Sequence, residues 1–197
     1  MQSSYSAIGN FNESLKVSRE IFSIVREKSP NTVAYSNALA NLAIHERDIL
    51  GNYNPQPFYE ALSIVEKHTK TDVPWLLSNL AESLIKTGEL EKAEEVARHA
   101  EKLAEQMQLN HWLAMSRYYF ANIKLLQGKI WESLQLCQTL IENVRRHKKP
   151  SLSAIIYQLA GKVEVARGNK QQAWDYFMKA LNEAKTISSI SLMNSIK

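Results

Sequence analysis

A chain of 197 residues, 45% of them hydrophobic, is long and apolar enough to bury one or two ordinary cores or a short repeat array, which excludes a disordered chain. Its 24 Lys and Arg residues exceed its 20 Asp and Glu by four, with both signs interspersed, and so give no dedicated nucleic-acid surface. The single cysteine, Cys137, excludes an intramolecular disulfide framework, and the absence of a leader-like N-terminus or an apolar run of about 18 residues points to a soluble, cytoplasmic protein with no membrane contact.

Taken in chain order, the breakers divide the sequence into similar words. Gly9 precedes "NFNESLKVSREIF", whose Ser14, Ser18 and Ile21 share one helical face, and Pro30 closes that unit. Gly51 precedes an insertion, "NYNPQPFYEALSIVE", in which Asn54, Pro55 and Pro57 open a helix and Ala61 comes late. Pro74 introduces "WLLSNLAESLIKTG", with Ala81 seven residues before Gly88. The helix after that glycine carries Ala93, Ala97 and Ala100 on one face. Next, "SRYYFANIKLLQG" sets Ala121 seven residues before Gly128, and Ser133, Cys137 and Leu140 follow. Pro150 opens the last full unit, in which Gly161 precedes Gly168 by seven, followed by Ala173, Phe177 and Ala180.

The turn glycines 9, 51, 88, 128 and 168 are spaced by 42, 37, 40 and 40 residues. Spacing in this range, with small residues on both sides of each turn and no alternating strand pattern, predicts an all-α array of antiparallel helix pairs. The expected organisation is one repeat domain over residues 1–197, with units at roughly 1–30, 31–71, 72–109, 110–149 and 150–187 and a partial unit at 188–197, or about ten helices. The short lead before Gly9 and the trailing "SSISLMNSIK" suggest a segment of a larger protein, or ends that pack on a partner.

The small-residue spacing resembles that of the tetratricopeptide repeat (TPR). Leu80 and Ala81 fall at the leucine-glycine pair, Gly88 at the turn, and Ala93, Ala97 and Ala100 on the second helix, while Gly161, Gly168, Ala173, Phe177 and Ala180 match in the last unit. The resemblance implies a right-handed superhelical solenoid whose first helices line a concave face. Where the family often has a bulky aromatic, this chain has Leu84, Lys124 and Glu164, and its repeats run near 40 residues. Repeats of that length look like the sensor regions of bacterial signalling and transcription regulators. The family's two-carboxylate clamp maps onto Ser78 and Glu82, Tyr119, and Ile155 and Leu159, so the clamp is absent and recognition of a chaperone tail is not expected.

The densest cluster of hydrogen-bonding and aromatic side chains is "HWLAMSRYYFANIK", His111 to Lys124. Trp112, Met115, Tyr119 and Phe120 read as core, whereas Arg117, Tyr118 and Asn122, with Gln158 and Lys162 from the next unit and Ser78 and Glu82 from the preceding one, are the candidate partner-binding residues. The basic run Arg145, Arg146, His147, Lys148 and Lys149 suits a helix C-terminus. Glu95 and His99 stand one turn apart, far short of a zinc site, and no nucleophile elbow, phosphate loop or dinucleotide turn occurs. Cys137 falls at a packing position. The expected function is a non-catalytic protein-protein interaction scaffold without metal or cofactor, whose partner is a protein or peptide, another domain of its own parent chain, or a second copy. The alternative is the ligand-sensing or self-associating part of a bacterial regulator.

Overall fold

The computed structural model describes residues 11–147 and 149–187, and all regular structure among them is helical. In chain order the helices are α1 (Phe11–Lys28), α2 (Val33–Leu50), α3 (Gln56–His68), α4 (Val73–Thr87), α5 (Leu90–Gln106), α6 (Asn110–Leu126), α7 (Ile130–His147), α8 (Pro150–Ala166) and α9 (Lys170–Thr186). The expected first helix before Gly9 and the partial unit at 188–197 lie outside the described residues.

Helix starts follow side-chain chemistry. Thr32 Oγ1 accepts from the Tyr35 amide at 3.2 Å, and Asn169 Oδ1 accepts from the Gln172 amide, each satisfying an amide that has no partner within its helix. Pro57, Pro74 and Pro150 occupy first-turn positions, where a missing N–H costs nothing. Helix ends follow the glycines. Gly88 adopts φ 83°, its amide donates to Ile85 O at 3.2 Å, and the Glu89 amide reaches back to Leu84 O at 2.9 Å. That 6→1 bond is the Schellman closure, and the left-handed residue it requires is one that only glycine adopts without penalty. The bonding is repeated at Gly128 and Gly168, where Lys129 N reaches Lys124 O at 2.8 Å and Asn169 N reaches Glu164 O at 2.9 Å. The recurring sequence word is therefore a recurring backbone corner.

The chain divides into two compact units, one through Leu113 and the other from Ala114. In the first, α1 packs on α2, α2 on α3, α3 on α4 and α4 on α5. The alanine face of α5 is sealed, with Ala93, Ala97, Ala100 and Ala104 all buried, and α4 buries Leu76, Leu77, Leu80, Ala81 and Leu84. Small side chains on one partner and leucines on the other let the two helices approach closely while filling the gap between them. Ser14 and Ser18 of α1 are buried as expected, and Ser18 shares a hydrogen bond with His45 Nδ1 of α2. Ile21, expected at the third core position, is instead 41% exposed. Among the described residues the neighbour of α1 is α2, and α2 covers the serine part of this face but not the isoleucine.

In the second unit the core is a cluster that includes Ala121, Leu134, Cys137, Leu140, Ile141, Val144, Ile156, Leu159, Val163 and Ala180. Ser133, at the first small-residue position of α7, donates to Ala121 O of α6 at 2.7 Å, so a hydroxyl fits where a larger side chain could not. Gly161 allows the closest approach. A Cβ built there would stand 2.5 Å from Cε1 of Phe177, so the Phe177 ring of α9 occupies the space a side chain on α8 would need. The sequence match of Gly161 and Phe177 across the last pair is thus a physical complement.

Candidate functional site

In the first unit the sequence singled out Ser78 and Glu82 on α4. Ser78 is buried, and its hydroxyl donates to Pro74 O one turn earlier at 2.8 Å, which directs it onto its own helix. Glu82 is half-exposed and accepts Arg47 Nη1 of α2 at 3.1 Å. The same Nη1 donates to Asn79 Oδ1 at 3.1 Å, and Arg47 Nε donates to Asp48 Oδ1 at 2.9 Å. Arg47 is only 8% exposed, so its guanidinium has exchanged water for two carboxylates and an amide. Sequence reasoning missed Arg47 and Asn79. Their signal is faint: Arg47 lies one turn after the buried Ala43 on α2, and an arginine within an apolar stripe requires a carboxylate opposite.

In the second unit Arg117, Tyr118 and Asn122 on α6 are all half-buried, Gln158 on α8 is buried, and Lys162 one turn later is exposed. Tyr118 and Asn122 share a face at i and i+4. Tyr118 packs on the core cluster and meets the Tyr119 ring edge-on, with centroids 5.3 Å apart. Arg117, Tyr118, Gln158 and Lys162 are all engaged with neighbouring groups. The residues read as core behave so for Tyr119 and Phe120, which are buried, while Trp112 and Met115 are half-buried.

The other described sequence candidates lie at packing or surface positions. Cys137 is 1% exposed, and burial pushes its thiol up to about 12, which removes the thiolate that nucleophilic attack needs. Glu95 and His99 are both exposed, and no group of three metal-ligating side chains forms among the described residues. Arg145 and Arg146 are exposed near the end of α7, Lys149 precedes α8, and Lys148 lies outside the described residues. No described helix is long and apolar enough to cross a membrane.

A second arrangement in this unit was not read from the sequence. Trp131, in the first turn of α7, is 68% exposed, and the Arg167 guanidinium lies 4.7 Å from its ring centroid. Arg167 is held in turn by the buried Glu164, whose two oxygens accept Arg167 Nη1 at 2.8 and 2.9 Å.

No family model matches the sequence, and no curated protein matches it. Solved structures do. A thermophilic TPR protein of Thermus thermophilus superposes with a TM-score of 0.68 at 17% identity, over 99% of this chain and 93% of that one. The nearly identical TPR-like repeats of a Podosopora anserina kinesin light chain give 0.66 at 16% identity over 95% and 93% of the two chains. MamA gives 0.57 at 18% identity over 95% and 96%. Identities this low speak for the fold alone. Helix pairs closed by the same glycine corner, sealed by small residues at the same offsets and superposable on three such proteins, identify the chain's architecture as the TPR-like helical-repeat fold.

Proposed function

We propose that the protein is a non-catalytic interaction scaffold in which each unit presents the faces of its first helices, α2 and α4 in the first and α6 and α8 in the second, to a protein or peptide partner. The observation that carries this reading is the Arg47 cluster. Side chains from two successive first helices, Arg47 and Asp48 on α2 and Asn79 and Glu82 on α4, meet in one polar network whose carboxylates remain partly open to solvent. Groups held this rigidly lose little entropy when a partner binds, which is the usual requirement of a preorganised recognition surface. In the second unit Asn122 and Lys162 occupy the matching first helices, beside Arg117 and Tyr118.

The test is site-specific photo-crosslinking in lysate of the source organism. A photoreactive side chain replaces Asn122 on a first helix in one variant and the exposed Gln138 on a second helix in another. The proposal expects a discrete adduct from position 122 that is lost in the Arg117→Glu variant. Adducts from position 138 alone, or the same adducts from both positions, would refute it. A second reading, self-association within a larger regulator, is favoured by the near-40-residue spacing of the turns. It requires the protein to dimerise reversibly in sedimentation equilibrium, and a monomer at all concentrations would exclude it.

A further inference from the structure

The Trp131–Arg167 pair lies away from the first-helix faces, where the α6–α7 and α8–α9 corners come together within the second unit. The fold does not require a tryptophan at that position. Counted from the turn glycine, the residue matching Trp131 is Glu91 in the preceding pair and Gln171 in the following one, both exposed and polar. The neighbouring residues reinforce the departure. Leu126, two residues before Gly128, and Val165, three before Gly168, are exposed as well, so the two corners show three large apolar side chains to solvent. An exposed tryptophan carrying an arginine, on corners that also expose apolar side chains, has the composition of a binding hot spot.

The charge around the patch selects the occupant. The two corners carry Lys124, Lys129, Arg167 and Lys170, against Glu132 and Glu164. Glu164 is held by Arg167 at 2.8 Å, whereas the exposed Glu132 stands 3.9 Å from Lys124, so the corners keep an excess of cations. The corner at Gly88 is different: there Lys92 is paired with Glu89, and Glu91 stands where the tryptophan would be. Arg167 Nη1 donates to both oxygens of Glu164, which holds that end of the guanidinium beside the indole before any ligand arrives.

We infer that this corner ridge, centred on Trp131 and Arg167 and flanked by Lys129 and Lys170, is a second docking site, which takes an acidic peptide segment carrying a bulky apolar or aromatic anchor. The anchor covers the open part of the Trp131 ring, and the flanking carboxylates of the peptide meet Lys129 and Lys170. This site is separate from the first-helix faces and does not depend on them.

The probe is an acetylated, amidated peptide of sequence DEFDELFDED, titrated into the ¹⁵N-labelled full chain and followed by amide shifts. Saturable shifts confined to residues near 126–132 and 164–171 are expected, with affinity falling as salt rises. Trp131→Gln, which installs the residue of the next corner on an exposed site, should weaken binding by about tenfold or more. The double variant Lys129→Glu, Lys170→Glu should weaken it similarly, while Arg117→Glu with Asn122→Ala should leave it unchanged. Binding that survives Trp131→Gln, shifts that map to residues 117–122 and 158–162 instead, or no saturation would each overturn the inference. Anionic vesicles of phosphatidylserine and phosphatidylcholine form a further arm, and Trp131-dependent vesicle binding without peptide binding would replace the acidic peptide with a lipid surface.

Discussion

Gly161→Ala adds a single methyl group to the protein, and the structure predicts that its effect changes sign with the residue opposite. In an isolated helix the change is favourable by about 1 kcal/mol, because alanine loses less backbone entropy than glycine. Here the new Cβ would lie 2.5, 2.7 and 2.9 Å from three atoms of the Phe177 ring, distances that real Cβ atoms do not tolerate. The ring must turn or α9 must shift, and overpacking of this kind costs about 1–3 kcal/mol. The helix-propensity gain offsets part of that cost, so the expected net loss is about 1 kcal/mol. Replacing Phe177 with alanine removes the obstacle, and in that background Gly161→Ala should stabilise by up to about 1 kcal/mol. The coupling across the cycle is then about 2 kcal/mol, well above the error of such measurements. Repeat arrays need not unfold in one step, so the appropriate assay is native-state hydrogen exchange of buried α8 amides in the full chain, supported by urea titration. A Gly161→Ala substitution that stabilises equally with and without Phe177 would show that the ring does not fill the glycine's space, and the close approach of α8 and α9 would be wrong.

Three further outcomes follow from the same packing and burial. Ala93→Trp, at a fully buried position on α5, should destabilise the first unit by more than about 3 kcal/mol through overpacking, whereas the adjacent Glu94→Ala should stay within about 0.5 kcal/mol; urea titration separates the two, and equal effects would refute the register. Cys137 should not react with a thiol reagent at pH 8 in the folded protein and should react fully in denaturant; labelling of the native chain would contradict its burial and raised pKa. Burial lowers the pKa of His45 below its ordinary value, although Asp48 opposes the shift. The unfolded chain therefore binds the proton more readily than the folded one. The contribution is complete above the unfolded value of about 6.5 and declines as pH falls through that value towards the lowered folded one. Exchange protection in α1 should drop over that window, and the drop should vanish in His45→Gln.

Corners and seams were readable from the sequence because few residue types satisfy each. A left-handed corner favours glycine, although Gln108 closes α5 at φ 55°, and a closely packed helix pair demands small side chains, so Gly88, Gly128 and Gly168 and the small residues after them recur at fixed offsets regardless of what the protein binds. Even the departures are informative: Ile21 obeys the sequence pattern yet remains exposed, because a register position becomes core only where a second helix covers it. Surface chemistry has no such repeating constraint. Ser78 and Gln158 lie at first-helix positions that the pattern allowed to face a groove, but rotation of the helix about its axis buries both. Arg47 lies among buried alanines and leucines on α2, and its partners Asn79 and Glu82 stand on α4, the nearer of them 32 residues away, a distance over which no local periodicity links them. Trp131 was passed over for a related reason. Helical periodicity assigns an aromatic residue in a second helix to the core by default, and only an exposure of 68% beside a fixed Arg167 shows that this one faces outward. In a repeat fold, then, the positions that repeat report the scaffold. The positions that break the repeat, Trp131 against Glu91 and Gln171, are where selection for a ligand would be visible.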